Sequence, residues 1–271
     1  MKIALHGSSF VASRYGWALA GGWEECVTAL SAYYQPIKTF ASRFSDLVAQ
    51  VKNLGFKRMD VWQPGVLNWQ WASEVHILLA AGILREHQVE TVSLAGEFGI
   101  TRAEFDLACQ VAAGIGAPLL SGTTALLASD RSFVVDRLEQ YDLRLAIENE
   151  VERTPAEILS QIGDGAGGRI GTALDTGWYA THGYDISRAV HDMTPHILHV
   201  HLKDVLPGPE HVNCGYGQGC VDLEGCVRAL VETGYEGVVS VENHTLDHDP
   251  SDDLISARLW LERILNQPVI S

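Results

Sequence analysis

The chain has no apolar run near the roughly 18 to 20 residues that cross a bilayer, so no membrane span is expected. Its opening residues, MKIALHGSSF, break their apolar stretch at His6, too soon for the apolar region of a signal peptide, and the expected location is the cytoplasm. Positive charge is scarce. Nineteen Lys and Arg stand against thirty-four Asp and Glu, a net charge of −15 that repels a polyanion and argues against nucleic acid as a partner. Five cysteines (Cys26, Cys109, Cys214, Cys220, Cys226) form no CxxC pair, and an odd number does not close a disulfide framework. The last three lie six residues apart, wider than the two to four usual between paired zinc ligands. No GxGxxG follows the first apolar run and no P-loop occurs, which removes the common nucleotide-binding signatures.

What the sequence does contain is an alternation. Short apolar runs rich in β-branched residues predict strands over 2–7, 57–62, 89–95, 117–122, 143–149, 169–175, 197–204 and 237–243. Amphipathic stretches with helical spacing lie between them. Thr154, Pro155 and Glu157 form a capping box before Ile158, Leu159 and Ile162. Leu223, Val227, Leu230 and Val231 repeat at helical spacing until Gly234, and a last helix after Ser251 opens with Asp252 and Asp253. Eight strand-then-helix units imply parallel strands joined by helical crossovers. The expected fold is one α/β domain over 1–271, a (β/α)₈ TIM barrel, with an open doubly wound sheet as the alternative.

In such a barrel, polar residues at the C-terminal strand ends line the active site. Here strand five ends in Glu148, six in Asp175, seven in His201 with Lys203 beyond, and eight in Glu242 followed by His244. Three carboxylates crowded together resist ionisation unless a cation neutralises them, and three oxygens with one imidazole suit Mn²⁺ or Mg²⁺ and tolerate Co²⁺ or Zn²⁺. Ala146, Ala173 and Ser240, two residues earlier on the same faces, leave room beneath.

LAIENE, ALDTG, HVHLKD and SVEN, in this order, resemble the signature of the xylose isomerase-like barrel superfamily, as does GQGCVDLEGCVRALVETGYEGVVSVE. That superfamily includes sugar isomerases, ketose epimerases, inosose dehydratases and the endonuclease IV group. The resemblance covers essentially the whole chain and implies metal ligands at Glu148, Asp175, His201 and Glu242. It also implies that Glu148 and Glu242 act as acid and base, facing each other over a small sugar or polyol.

Two departures stand out. Many of these epimerases carry a substrate-binding histidine three residues after the aspartate, where this chain has Trp178, and His182 is the candidate replacement. The arginine some epimerases carry after strand seven is missing from VLPGPEHVN, which contains His211 instead. Trp178 remains suited to stacking on a sugar face. Lys203, His244, Trp62 and His6 complete the substrate-binding candidates, with Lys203 also able to pair with an acid. Asn149 and Asn243 point toward the helical layer as support, His199 reads as a hydrogen-bonded barrel layer, and Glu150 reads as exposed.

The leading reading is a divalent-metal-dependent sugar isomerase or epimerase working by carboxylate proton transfer. A dehydratase of inosose or dehydroshikimate type, using the same metal and base, is the alternative. An endonuclease IV-like repair enzyme and a non-catalytic sugar-binding barrel are further options, and a homo-oligomer is left open.

Overall fold

The computed structural model describes residues 1–18 and 22–266. All eight apolar runs form strands: Lys2–His6, Arg58–Trp62, Glu90–Glu97, Leu119–Thr123, Arg144–Glu148, Ile170–Asp175, Ile197–Leu202 and Val238–Val241. They pair in parallel in chain order, and the first strand pairs with both the second and the eighth, closing the barrel. Closure removes the open-sheet alternative.

The alternation is less strict than the sequence suggests. After the first strand come a 3₁₀ segment, Gly7–Tyr15, and two helices, Trp23–Tyr34 and Ile37–Asn53. After the sixth come Thr176–Thr181 and Ile186–Met193. The strand predicted over 197–204 ends at Leu202, and Asp204–Val205 instead pairs antiparallel with Asn213–Cys214 to fold the seventh loop back over the barrel mouth.

Local chemistry accounts for the helix ends. Glu157 accepts the Thr154 N–H at 3.0 Å, and Pro155 opens the helix Pro155–Ile162 where no donor is needed. Asp222 accepts the Gly225 N–H at 2.9 Å and starts Leu223–Glu232, which stops before Gly234 at φ 73°, a left-handed angle that glycine adopts without strain. The helix Ser251–Leu265 buries Leu254, Ala257 and Leu261.

The main core lies between strands and helices and includes Phe40, Phe44, Phe56, Phe98 and Phe105. Inside the barrel a small apolar group, Leu119, Ala146 and Ala173, lies apart from it. The rest of the interior is polar: Asp60, Ser93, Ser121, His199 and Ser240 are all buried. All five cysteines are free thiols.

Candidate metal centre and active site

Period-two alternation carries the proposed ligands inward. Glu148, Asp175 and His201 lie on strands five, six and seven, and Glu242 directly follows strand eight. One ligand atom from each of the four lies within 4.8 Å of all the others, a spacing that suits a single divalent ion. His201 Nδ1 stands 2.7 Å from Glu148 Oε1 and 3.6 Å from Glu242 Oε2, so the two glutamates converge on the same imidazole. His201 Nε2 is 3.1 Å from the Ser121 hydroxyl, across the barrel.

Backbone clamps hold these side chains. Asp175 donates its N–H to Asn149 Oδ1 at 2.8 Å, and Asn149 Nδ2 donates to the Asp175 carbonyl at 3.0 Å. Asn149 is thus a support, as its outward position implied. Asn243 extends outward too, donating to Asp253 at 3.3 Å. Tyr216 ties the Glu242 backbone, accepting its N–H at 2.8 Å and donating to its carbonyl at 2.9 Å.

Charge decides the protonation states. Lys203 Nζ lies 2.8 Å from Asp175 Oδ2 and 3.3 Å from Glu242 Oε1, and its stem passes where a Cβ on Gly177 would collide with Lys203 Cγ at 2.7 Å. Burial works against the ammonium, but Asp175, Glu242 and Glu148 raise its pKa above the ordinary lysine value. Burial would likewise raise Glu242, yet His6, Lys203, His244 and His201 hold it ionised well below its usual range. Burial also lowers His201, but Glu148 and Glu242 override it and bring the imidazole to about 10. His6 is driven down to about 3 by burial, against the pull of Glu242. Glu242 Oε2 is buried and accepts no hydrogen bond. A buried carboxylate oxygen without a donor is costly, and a cation satisfies it, so these residues fit the expected metal.

Beneath lies a network that sequence reasoning missed. Asp60, on strand two, accepts from Ser93 at 2.6 Å and lies 3.1 Å from His199 Nε2 on strand seven. These strands are not neighbours, so the contact spans the interior. Burial would raise the Asp60 carboxyl, but His199, by charge and hydrogen bond, holds it well below the ordinary range, aided by His6 and His201. His199 sets its ring edge against His201 with centroids 5.0 Å apart. It is the barrel-layer residue its depth implied.

Above the ligands opens a cavity of about 1030 Å³, lined in part by His6, Trp62, Trp178, Lys203 and His244. His244 Nε2 lies 2.6 Å from Glu242 Oε1 and 2.6 Å from the Ser8 hydroxyl. Trp62 meets Trp23 edge-on at 5.6 Å. His182 is displaced from the expected role: it is outside the cavity lining, and its Nε2 meets the Glu150 carbonyl at 3.0 Å. His211 lines the cavity in its stead, stacked on Trp178 at 3.6 Å and 11°. Glu150 has exposed surface but lines the cavity, and desolvation followed by Glu148 repulsion pushes its carboxyl up to about 7. Its position two residues after Glu148 was the signal for it.

A family model described as xylose isomerase-like TIM barrel matches residues 48–264. L-ribulose-5-phosphate 3-epimerase UlaE of Shigella boydii serotype 18 is 38% identical over 69 residues, 25% of this chain, and the match spans about a quarter (24%) of that relative's length. Among solved structures, a D-tagatose 3-epimerase-like protein superposes with TM-score 0.68 at 17% identity, covering 98% of this chain and 97% of the other. The IOLI protein with a binding zinc atom superposes with TM-score 0.67 at 14% identity, covering 98% of each chain. These structural likenesses establish a shared barrel.

Proposed function

The chain belongs to the xylose isomerase-like TIM barrel family, and from that premise we propose that it is a divalent-metal-dependent sugar isomerase or epimerase. The observation that carries this reading is the convergence of Glu148, Asp175, His201 and Glu242, with Glu242 Oε2 buried and free of any donor. The epimerase relatives and structural neighbours support it.

Glu148, Asp175, His201 and Glu242 would hold the ion. Three carboxylates and one imidazole favour Mn²⁺ or Mg²⁺, with Co²⁺ or Zn²⁺ also compatible, and one neighbour's zinc keeps that metal in the set. When bound, a divalent cation polarises sugar oxygens and makes the adjacent C–H acidic. Glu148 and Glu242 both line the cavity, and Glu148, whose side chain is 12% exposed against 2% for Glu242, is the more accessible base. Glu242 is the second carboxylate, poised to exchange a proton through its contacts with His244 and Ser8. Lys203 balances charge beside Asp175, and the indoles of Trp62 and Trp178 offer faces for a sugar's C–H surface.

The test is incorporation of solvent deuterium at carbon. Metal-loaded protein incubated with free and phosphorylated ketoses in D₂O should exchange a C–H beside the carbonyl, read by NMR, with substrate mass otherwise unchanged. A product lighter by the mass of water would move the assignment to the dehydratase alternative. Binding of a sugar without any C–H exchange or chemical change would leave a sugar-binding barrel.

A further inference from the structure

We infer that the substrate is an unphosphorylated, uncharged carbohydrate. This rests on the carbohydrate reading above and narrows it. All nineteen lysines and arginines fall within the described residues, and Lys203 alone among them lines the cavity. Its ammonium is engaged by Asp175 and Glu242. The three ligand carboxylates are offset by Lys203 and a divalent ion together. Six further acidic side chains lie on the wall, Glu24, Glu97, Glu104, Glu150, Glu210 and Asp247; none pairs with a lysine or arginine, although Asp247 meets His248 at 2.8 Å and Glu150, at about 7, carries only part of its charge at neutral pH. A phosphate dianion entering that field meets net repulsion from the wall.

The amides of the glycine-rich turn after strand seven, where a phosphate cradle could form, are engaged elsewhere. Two amides of the glycine-rich turn over 215–219, and that of Val221 just beyond it, point onto a buried carboxylate: Asp204 accepts from Gly217, Gly219 and Val221 at 2.9, 3.0 and 3.2 Å. The helix N-termini near the mouth carry their own acids. Asp175 accepts the Trp178 N–H, Asp222 accepts the Gly225 N–H, and Asp252 and Asp253 sit in the first turn of the last helix.

What the wall offers instead suits a neutral sugar. Trp62 ends strand two and Trp178 follows strand six, on opposite sides of an eight-stranded barrel, with Trp23 and Trp69 also on the lining. Indole faces bind the C–H surface of a sugar ring, and the surrounding carboxylates accept its hydroxyl protons.

The experiment titrates metal-loaded wild-type protein with matched pairs, D-fructose against D-fructose 6-phosphate and L-ribulose against L-ribulose 5-phosphate, following tryptophan fluorescence. A free sugar should bind about tenfold or more tightly than its ester at low salt, with the gap narrowing as salt screens the wall. Glu97→Lys with Glu210→Lys should narrow the same gap, with circular dichroism reporting an intact fold. An ester that binds as tightly as its parent sugar or more tightly overturns the inference, even where C–H exchange upholds the isomerase reading. Tighter binding of the free sugar without exchange sustains the inference and sinks that reading. No binding by any member of either pair removes both.

Discussion

Lys203 Nζ and Asp175 Oδ2 stand 2.8 Å apart with both side chains almost wholly buried. Removing one partner strands the other charge. Lys203→Met should therefore destabilise metal-free protein by about 3 to 5 kcal/mol, and added Mn²⁺ should restore part of the loss. Urea unfolding in chelator and in metal measures both, and a variant as stable as wild type in chelator would show that the pair contributes nothing.

Glu148→Gln and Glu242→Gln keep shape and remove the proton acceptor. Each should lower the rate of C–H exchange by about 10² to 10⁴ at saturating substrate and metal. Solvent-deuterium exchange followed by NMR gives the rates, and wild-type exchange in either variant would exclude that residue as acid or base.

Asp60 is not on the cavity lining, yet it holds His199, which packs edge-on with His201. Asp60→Ala should cost about 3 kcal/mol of stability and weaken metal binding about 10 to 100-fold. Calorimetric metal titration of the folded variant checks the second effect. Unchanged affinity would reduce Asp60 to a packing role.

His211 carries a prediction about acid. Burial, then the charge on Lys203, drives its imidazole down to about 4, so it stays neutral against Trp178. As pH falls from 6.5 toward about 4 the unfolded chain binds a proton that the folded chain refuses, so stability is full above 6.5 and declines across that window. His211→Gln should flatten this decline relative to wild type in thermal melts. Parallel slopes would mean that His211 titrates normally.

The strands were legible because apolar runs with period-two alternation are local, and so was the inward direction of Glu148, Asp175 and His201. Asp60 carries the same signal, two residues before Trp62 on one strand face, but its meaning depends on His199, 139 positions later in the chain. His182 is near Trp178 in sequence, which makes it the local candidate. The fold brings in His211 instead, through a turn in which that residue adopts φ 51°.

The amino-acid sequence by itself determined the barrel, its family and the four converging side chains proposed as ligands, since these follow from the order, spacing and alternation of local elements. Only the tertiary structure decided how they are charged and what they face. Closing the barrel buries Lys203 among carboxylates, sets Asp60 beneath His201, and turns the glycine-rich amides onto Asp204. Burial and proximity set the strength of electrostatic interactions, and both arise from contacts between residues far apart in the chain.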